Sequence, residues 1–302
     1  MTSNDNSYQS IDKSVTSPQD IHHSVRGTKR RFRCGIKEIL LGEETLVMGI
    51  LNITPDSFYD GGRYVTPDNA LERIERMIAE GADMVDIGGE STRPGSYGIS
   101  EEEELRRVIP VIRGSKKRFD IILSIDTTKA RIAEEALKEG ASIINDISGL
   151  KFEPRLAEIA VKYKAGLILM HTPSRPYDMQ KKTDYTSVVH DVINSLVKSV
   201  KLAEGKGVHP ESIIVDPGFG FGKTADQNLT LLKHLSEFSV LQKPILIGTS
   251  RKSFIGKVLG TDSPEERLEG TAATVAAGIM NGASIIRVHD VLYMKRVAMT
   301  VD

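Results

Sequence analysis

Eight times between residues 45 and 290 a short apolar run closes on a polar residue and gives way to a helical pattern. The run ends are Leu51-Asn52, Val85-Asp86, Ile125-Asp126, Ile144-Asn145, Met170-His171, Val215-Asp216, Thr249-Ser250 and Ile286-Arg287-Val288-His289. Runs of four to six apolar residues without alternation suit strands covered on both faces, and strands separated by helices suit a parallel sheet. Eight such units predict an α/β chain folded as a single-domain (β/α)₈ TIM barrel. In that architecture the catalytic groups stand at the C-terminal ends of the strands, so the eight polar endings are expected to share one pocket.

The intervening helices are predicted at 67–80, 100–112, 127–139, 153–163, 184–204, 224 to about 238, 264–280 and 291 to the C-terminus, with a short turn near 253–259. Ser100 and Glu103 form a candidate capping box. Three helices end alike, as Glu80-Gly81-Ala82, Glu139-Gly140-Ala141 and Asn281-Gly282-Ala283. Glycine just past a helix takes the left-handed conformation that satisfies the last carbonyls, and here a strand follows at once. Loops at the bottom are therefore short. The long segments, 53–66, 89–99, 172–183 and 217–223, all fall at the catalytic face, where long loops carry function.

A barrel of this kind takes about 250 residues, close to the span from Thr45 to Asp302. Residues 1–34 are rich in Ser, Asn, Asp, Gln and Lys without apolar periodicity, and are expected to form a disordered extension ahead of a catalytic domain at 35–302. That extension has four Arg and two Lys against three Asp, a net of +3, which leaves −4 for the rest of a chain whose total is −1. So small and scattered a charge argues against nucleic acid as a partner. No apolar stretch reaches membrane-spanning length and no hydrophobic signal region opens the chain, so a cytoplasmic protein without membrane contact is expected. The single cysteine, Cys34, rules out an internal disulfide and a multi-cysteine metal site.

The segment Asp216-Pro-Gly-Phe-Gly-Phe-Gly-Lys-Thr224 fails as a phosphate loop, because Pro217 stands where the first glycine is required, and Lys223 occupies the third glycine of a dinucleotide pattern. It reads instead as a top loop whose backbone and rings, Phe219 and Phe221, close over a flat ligand. Asp126, Asn145 and Asp216 could each cap a helix. Together on one barrel mouth they match the edge of a fused heterocycle with an amino group beside a ring N–H, since a carboxylate accepts two parallel bonds and an amide both donates and accepts. Lys252 follows the seventh strand, and Arg287 and His289 lie two apart on the eighth, facing the same way. Phosphate sites of such barrels form from the loops after these strands. Arg251 reads as a solvated surface charge.

Asn52-Ile-Thr-Pro-Asp-Ser-Phe58 with Asp60-Gly-Gly62, then Asp86-Ile-Gly-Gly-Glu-Ser-Thr-Arg-Pro-Gly95, resembles bacterial dihydropteroate synthases. Ser124-Ile-Asp-Thr127, Ile144-Asn-Asp146, Asp216 to Lys223, Ser250-Arg-Lys-Ser253 and Arg287-Val-His289 match the same family in order, over roughly residues 35–300.

The resemblance implies condensation of (7,8-dihydropterin-6-yl)methyl diphosphate with 4-aminobenzoate, releasing pyrophosphate. It implies Asp126, Asn145, Asp216, Lys252 and Arg287 at the pterin. Asn52, Thr92, Arg287 and His289 would meet the diphosphate, with Mg²⁺ on the diphosphate and Asn52. Phe221, Pro94 and Ser253 would surround 4-aminobenzoate, near backbone N–H groups where a helix begins after Ser250. Asp60 and Arg93 would support closed loops, Lys252 and Arg287 would act in catalysis, and a homodimer would form through the barrel helices. The alternatives are a methyltetrahydrofolate:corrinoid methyltransferase on the same barrel, which would need neither the Ser-Arg-Lys-Ser segment nor Arg-x-His, and a non-catalytic pterin carrier.

Overall fold

The computed structural model describes residues 29–54 and 66–302. A hairpin, β1 (Arg30–Cys34) and β2 (Lys37–Leu41), precedes eight strands: β3 (Leu46–Asn52), β4 (Met84–Gly88), β5 (Ile122–Asp126), β6 (Ile143–Asp146), β7 (Gly166–Met170), β8 (Ile213–Asp216), β9 (Leu246–Ile247) and β10 (Ile285–Val288). The eight run in the order β8-β7-β6-β5-β4-β3-β10-β9, with every neighbouring pair parallel. A parallel bridge between Val215 and Ile245, with the Val215 N–H donating to the Pro244 carbonyl at 3.0 Å, joins the two ends. The TIM barrel expected from the apolar runs is thus present.

Outside the sheet lie α1 (Pro67–Ala79), α2 (Glu101–Arg118), α3 (Ala130–Lys138), α4 (Arg155–Tyr163), α5 (Val188–Gly205), α6 (Ala225–Lys233), α7 (Ser253–Leu259), α8 (Leu268–Met280) and α9 (Val291–Val301). The glycines after three of them take positive φ as expected, +98° at Gly81, +119° at Gly140 and +102° at Gly282. Several boundaries differ from the predicted ones for local reasons. Helix α2 runs six residues beyond Ile112, through the exposed Pro110, because burying Val111, Ile112 and Ser115 outweighs one missing N–H, and Lys116, Lys117 and Arg118 suit its C-terminal dipole. Ser100 caps it, but the Glu103 carboxylate turns to Arg106 and Arg107 rather than back to Ser100. The reciprocal box stands at Thr224 and Gln227. Helix α3 starts three residues later than expected because Thr127 still donates to the Asn145 carbonyl across the sheet. The helix expected over 224–238 breaks at His234 into a 3₁₀ turn, Leu235–Leu241.

The extension expected to end at residue 34 is corrected at its last residues: β1 lies in it, with Phe32 and Cys34 fully buried. They seal the lower end of the barrel with Leu41 against Met48, Met84, Ile122, Ile143, Ile168, Ile214, Leu246 and Ile285, one side chain from each barrel strand. Gly166 makes room for this floor, since a Cβ there would stand 2.5 Å from the Phe32 ring. The expectation for residues 1–28 lies outside the described residues. No helix among the described residues is long and apolar enough to cross a membrane.

Candidate active site

At the upper end of the sheet the polar strand endings converge. Arg287, from β10, donates from Nε to Asp86 Oδ2 at 2.6 Å and from Nη2 to Asp126 Oδ2 at 2.8 Å, and Asn145 Nδ2 donates to the same Asp86 oxygen at 2.9 Å. Asp86 is wholly buried, and its Oδ1 has no hydrogen-bond partner among the described residues. One guanidinium therefore serves two carboxylates. Burial pushes the Asp126 carboxyl up to about 7 although Arg287 opposes the shift, so a proton or a cationic ligand is held readily here. Asp126 is not the cap of α3, whose first residue follows Lys129.

Asp216 caps no helix either. Its Oδ1 accepts from the Gly218 N–H at 2.7 Å, which turns the chain into the glycine-rich loop, and burial raises its pKa against the pull of Lys252. Gly218 has φ +72°, and a Cβ there would lie 2.0 Å from the His171 carbonyl, so this turn requires glycine. Lys252 Nζ donates to the Phe219 carbonyl and stands 4.4 Å above the Phe221 ring. Burial lowers its pKa to about 8, with Asp216 holding it up. An ammonium so placed keeps its proton near neutrality and can donate to an oxo group or ring nitrogen.

The structure separates the two phenylalanines of that loop. Phe221 lies under the Lys252 ammonium in a small buried cluster with Ile147, Met170 and Met179. Phe219, expected to cover a ligand, is instead fully buried in the main core, 6.4 Å from Phe254 between ring centroids. Beneath them the buried Lys223 donates to the Gly218 and Phe221 carbonyls at 2.8 and 2.9 Å and lies 3.1 Å from His171 Nδ1. It is an internal fastener of the loop.

On the anion side, His289 Nδ1 lies 3.0 Å from Ser250 Oγ, and burial lowers its pKa to about 3, leaving the imidazole neutral. Arg73 of α1 donates to the His289 carbonyl at 2.9 Å. Arg251 is not the free surface charge expected from the sequence: it makes two bonds to Asp290, at 2.9 and 2.6 Å, from a left-handed backbone with φ +56°. Asn52 ends β3 half-buried; an ideal Cβ on Gly88 would lie 3.5 Å from its amide oxygen and 3.6 Å from Asp126 Cβ. Among the described residues no three His, Cys, Asp or Glu side chains gather to hold a metal.

Thr92, Arg93 and Pro94 sit on the 89–99 loop, with Arg93 and Pro94 exposed, and Ser253 is exposed at the start of α7. Asp60 lies outside the described residues. The second loop is fastened at its base by Lys129, whose ammonium donates to Glu90 at 2.5 Å, Glu104 at 2.7 Å and the Ile99 carbonyl at 2.9 Å. The sequence places Asp86 among the polar endings of one pocket without assigning it a ligand, and gives no role to Lys129 or Lys223. Asp86 alone had a visible signal, a charge ending a run of apolar residues.

A closed barrel with this buried acid, amide and ammonium set defines a class, and a family model described as pterin binding enzyme matches residues 48–289. The chain belongs to the pterin-binding enzymes. Within them it stands with the dihydropteroate synthases: that of Bacillus subtilis is 50% identical over 260 residues, 86% of this chain and 88% of the relative. Among solved structures, the Clostridium difficile dihydropteroate synthase determined in the presence of pteroic acid superposes with a TM-score of 0.81 at 46% identity, covering 87% of this chain and 97% of that one. The Xanthomonas albilineans dihydropteroate synthase with 4-aminobenzoic acid gives 0.84 at 39% identity, over 90% and 97%.

Proposed function

We propose that this chain condenses (7,8-dihydropterin-6-yl)methyl diphosphate with 4-aminobenzoate to give 7,8-dihydropteroate and pyrophosphate. The observation that carries the reading is the meeting of Asp86, Asp126, Asn145 and Arg287 in one buried cluster beside Asp216 and Lys252. Asp216 offers its Oδ2 to the amino-pyrimidine edge while Oδ1 stays with Gly218. Asn145 and Asp126 take the opposite edge, and Lys252 donates to the oxo and ring-nitrogen side. Arg287, with two of its N–H groups committed in the plane to Asp86 and Asp126, presents its face to the ring.

The methylene C–O bond breaks, the electron pair leaves with pyrophosphate, and the aryl amine forms the new C–N bond and sheds a proton. The pterin is cationic on the way. Above pH 7, where Asp126 is ionised, two buried carboxylates sharing one guanidinium leave an excess of negative charge beside the ring, placed before the reaction and shielded from water. Arg287, His289, Asn52 and Thr92 receive the leaving diphosphate, and an arriving anion reverses the penalty that keeps His289 neutral. The half-buried Asn52 amide, one neutral oxygen with no carboxylate cage around it among the described residues, fits Mg²⁺ held chiefly by substrate and water. When bound, that ion supplies neutralisation of the leaving group's charge.

Phe221, Pro94 and Ser253 line the place for 4-aminobenzoate, and Asp60 and Arg93 support closure of the first two loops, keeping water from the cation. A homodimer through the outer helices is in keeping with the exposed Val258, Leu259, Met280, Tyr293 and Met299. The Arg287-x-His289 pair and Lys252 favour a synthase over a corrinoid methyltransferase, which would need no diphosphate site. Mixing the protein with both substrates and Mg²⁺ should release pyrophosphate and form dihydropteroate; no release, or release without dihydropteroate when both substrates are present, would overturn the reading.

A further inference from the structure

Residues 172–183 form the one long top loop without a role in the reaction just described, yet they touch both walls of the place assigned to 4-aminobenzoate. Toward the second loop, the Gly95 N–H donates to the Pro176 carbonyl at 3.0 Å, and the Tyr97 and Tyr177 rings lie against each other with centroids 4.6 Å apart. Toward the glycine-rich loop, Gln180 Nε2 donates to the Gly220 carbonyl at 2.8 Å, and the buried Met179 packs with Phe221. Pro173 presses on Gly222 so closely that a Cβ there would stand 2.2 Å from its ring. The segment is itself tied down, since Lys151 donates to the Thr172 carbonyl at 2.6 Å and the Arg175 guanidinium lies 4.4 Å over the Phe152 ring.

We propose that residues 172–183 are a strap that sets the distance between the second loop and the glycine-rich loop, with Tyr177 and Gln180 as positioning residues for the aryl-acid substrate. This rests on the function proposed above. Pro94 neighbours the Gly95 contact, and Phe221 follows the Gly220 contact, so both walls of one small site hang from a single segment. Two aromatic rings left more than half exposed, 73% for Tyr97 and 51% for Tyr177, gain from packing against each other at a 38° tilt what the core does not offer them. Neither Tyr177 nor Gln180 is placed at the pterin, so loosening the strap should act on one substrate alone.

The test is the separation of two Michaelis constants in the full-length enzyme. Tyr177→Ala and Gln180→Ala should each raise KM for 4-aminobenzoate about fivefold, within what one aromatic pair or hydrogen bond supplies, while KM for the pterin diphosphate stays within about twofold. Tyr177→Phe keeps the ring and gives up only the hydroxyl bond to Tyr97, so its KM for 4-aminobenzoate should lie nearer wild type than that of Tyr177→Ala. If both constants rise together, if neither moves, or if Phe is as poor as Ala, the strap is refuted. A second measurement does not depend on turnover: in denaturant titrations a double-mutant cycle of Tyr97→Ala and Tyr177→Ala should show the two losses to be non-additive, because the rings are in contact. Strict additivity would overturn the strap even in an active enzyme. A wild type that releases no pyrophosphate would instead overturn the proposed function, and the cycle alone would then decide the strap.

Discussion

Replacing Asp216 by Asn is the sharpest single perturbation of the proposed pterin site. The amide oxygen of Asn can keep the 2.7 Å bond from the Gly218 N–H, so the turn into the glycine-rich loop survives. What changes is the other half of the group, where an N–H₂ replaces an acceptor and meets the amino-pyrimidine N–H groups donor to donor. Losing a charge-assisted bond and leaving a mismatched donor in a buried site costs about 2–4 kcal/mol, a loss of roughly 30- to 1000-fold in affinity. Stability should not fall, because burial already disfavours this carboxylate. Lys252 is affected too: Asp216 helps hold its pKa near 8 against burial, so in the variant the ammonium titrates lower and affinity drops further between pH 7 and 8. Calorimetric titration with a simple pterin at two pH values, beside a thermal melt, reads all three effects. An affinity within twofold of wild type would show that Asp216 only caps the turn.

Asn52→Ala and His289→Ala should weaken the pterin diphosphate while leaving a simple pterin unaffected, and removal of Mg²⁺ should stop turnover with the circular dichroism spectrum unchanged; equal losses for both ligands would take these residues away from the leaving group. Lys129→Met leaves the buried Glu104 without its counter-ion and should cost about 3–5 kcal/mol in denaturant titration. Burial raises the Glu104 pKa in the folded state, so the folded form prefers the proton and the deficit should be greater at pH 8 than at pH 5; the opposite trend would refute the assignment. In the wild type, Asp126 has a folded pKa of about 7 against an ordinary 3.8, so between those values the native state holds a proton that the unfolded chain has lost. Its contribution to stability is fully present below the lower value and falls by about 1.4 kcal/mol per unit as pH rises toward 7. Urea titrations across that range should show a decline that Asp126→Asn flattens.

The barrel was legible because strands buried on both faces must be apolar throughout, so each polar ending stood out against its run. Asn52, Asp126, Asn145, Asp216 and His289 were visible in that way. Pairings were not, because Arg287 and Asp86 meet across 201 residues of chain and nothing local records the contact. Lys223 and Lys129 looked like ordinary solvated lysines, since their value lies in carbonyls and carboxylates brought together only by the closed sheet. Phe219 and Phe221 differ by two positions yet join the main core and the small cluster beneath Lys252, a split that a glycine-rich loop without regular periodicity hides. The β1–β2 hairpin escaped because Phe32 and Cys34 alternate with Arg31 and Arg33 over only five residues, beside a polar stretch that masks the alternation.

That hairpin also constrains the order in which the molecule can assemble. Its seat is made of one side chain from every barrel strand, from Met48 to Ile285, so the seat does not exist until the last strand has closed the ring. This hairpin leaves the ribosome before every barrel strand and is therefore the last able to dock. Until it does, a ring of methionine, leucine and isoleucine lies open to other chains, and contacts of such long sequence separation form slowly. Trimming the chain to residue 42 would make that unfinished state permanent, giving a barrel with its upper site built and an aggregation-prone floor.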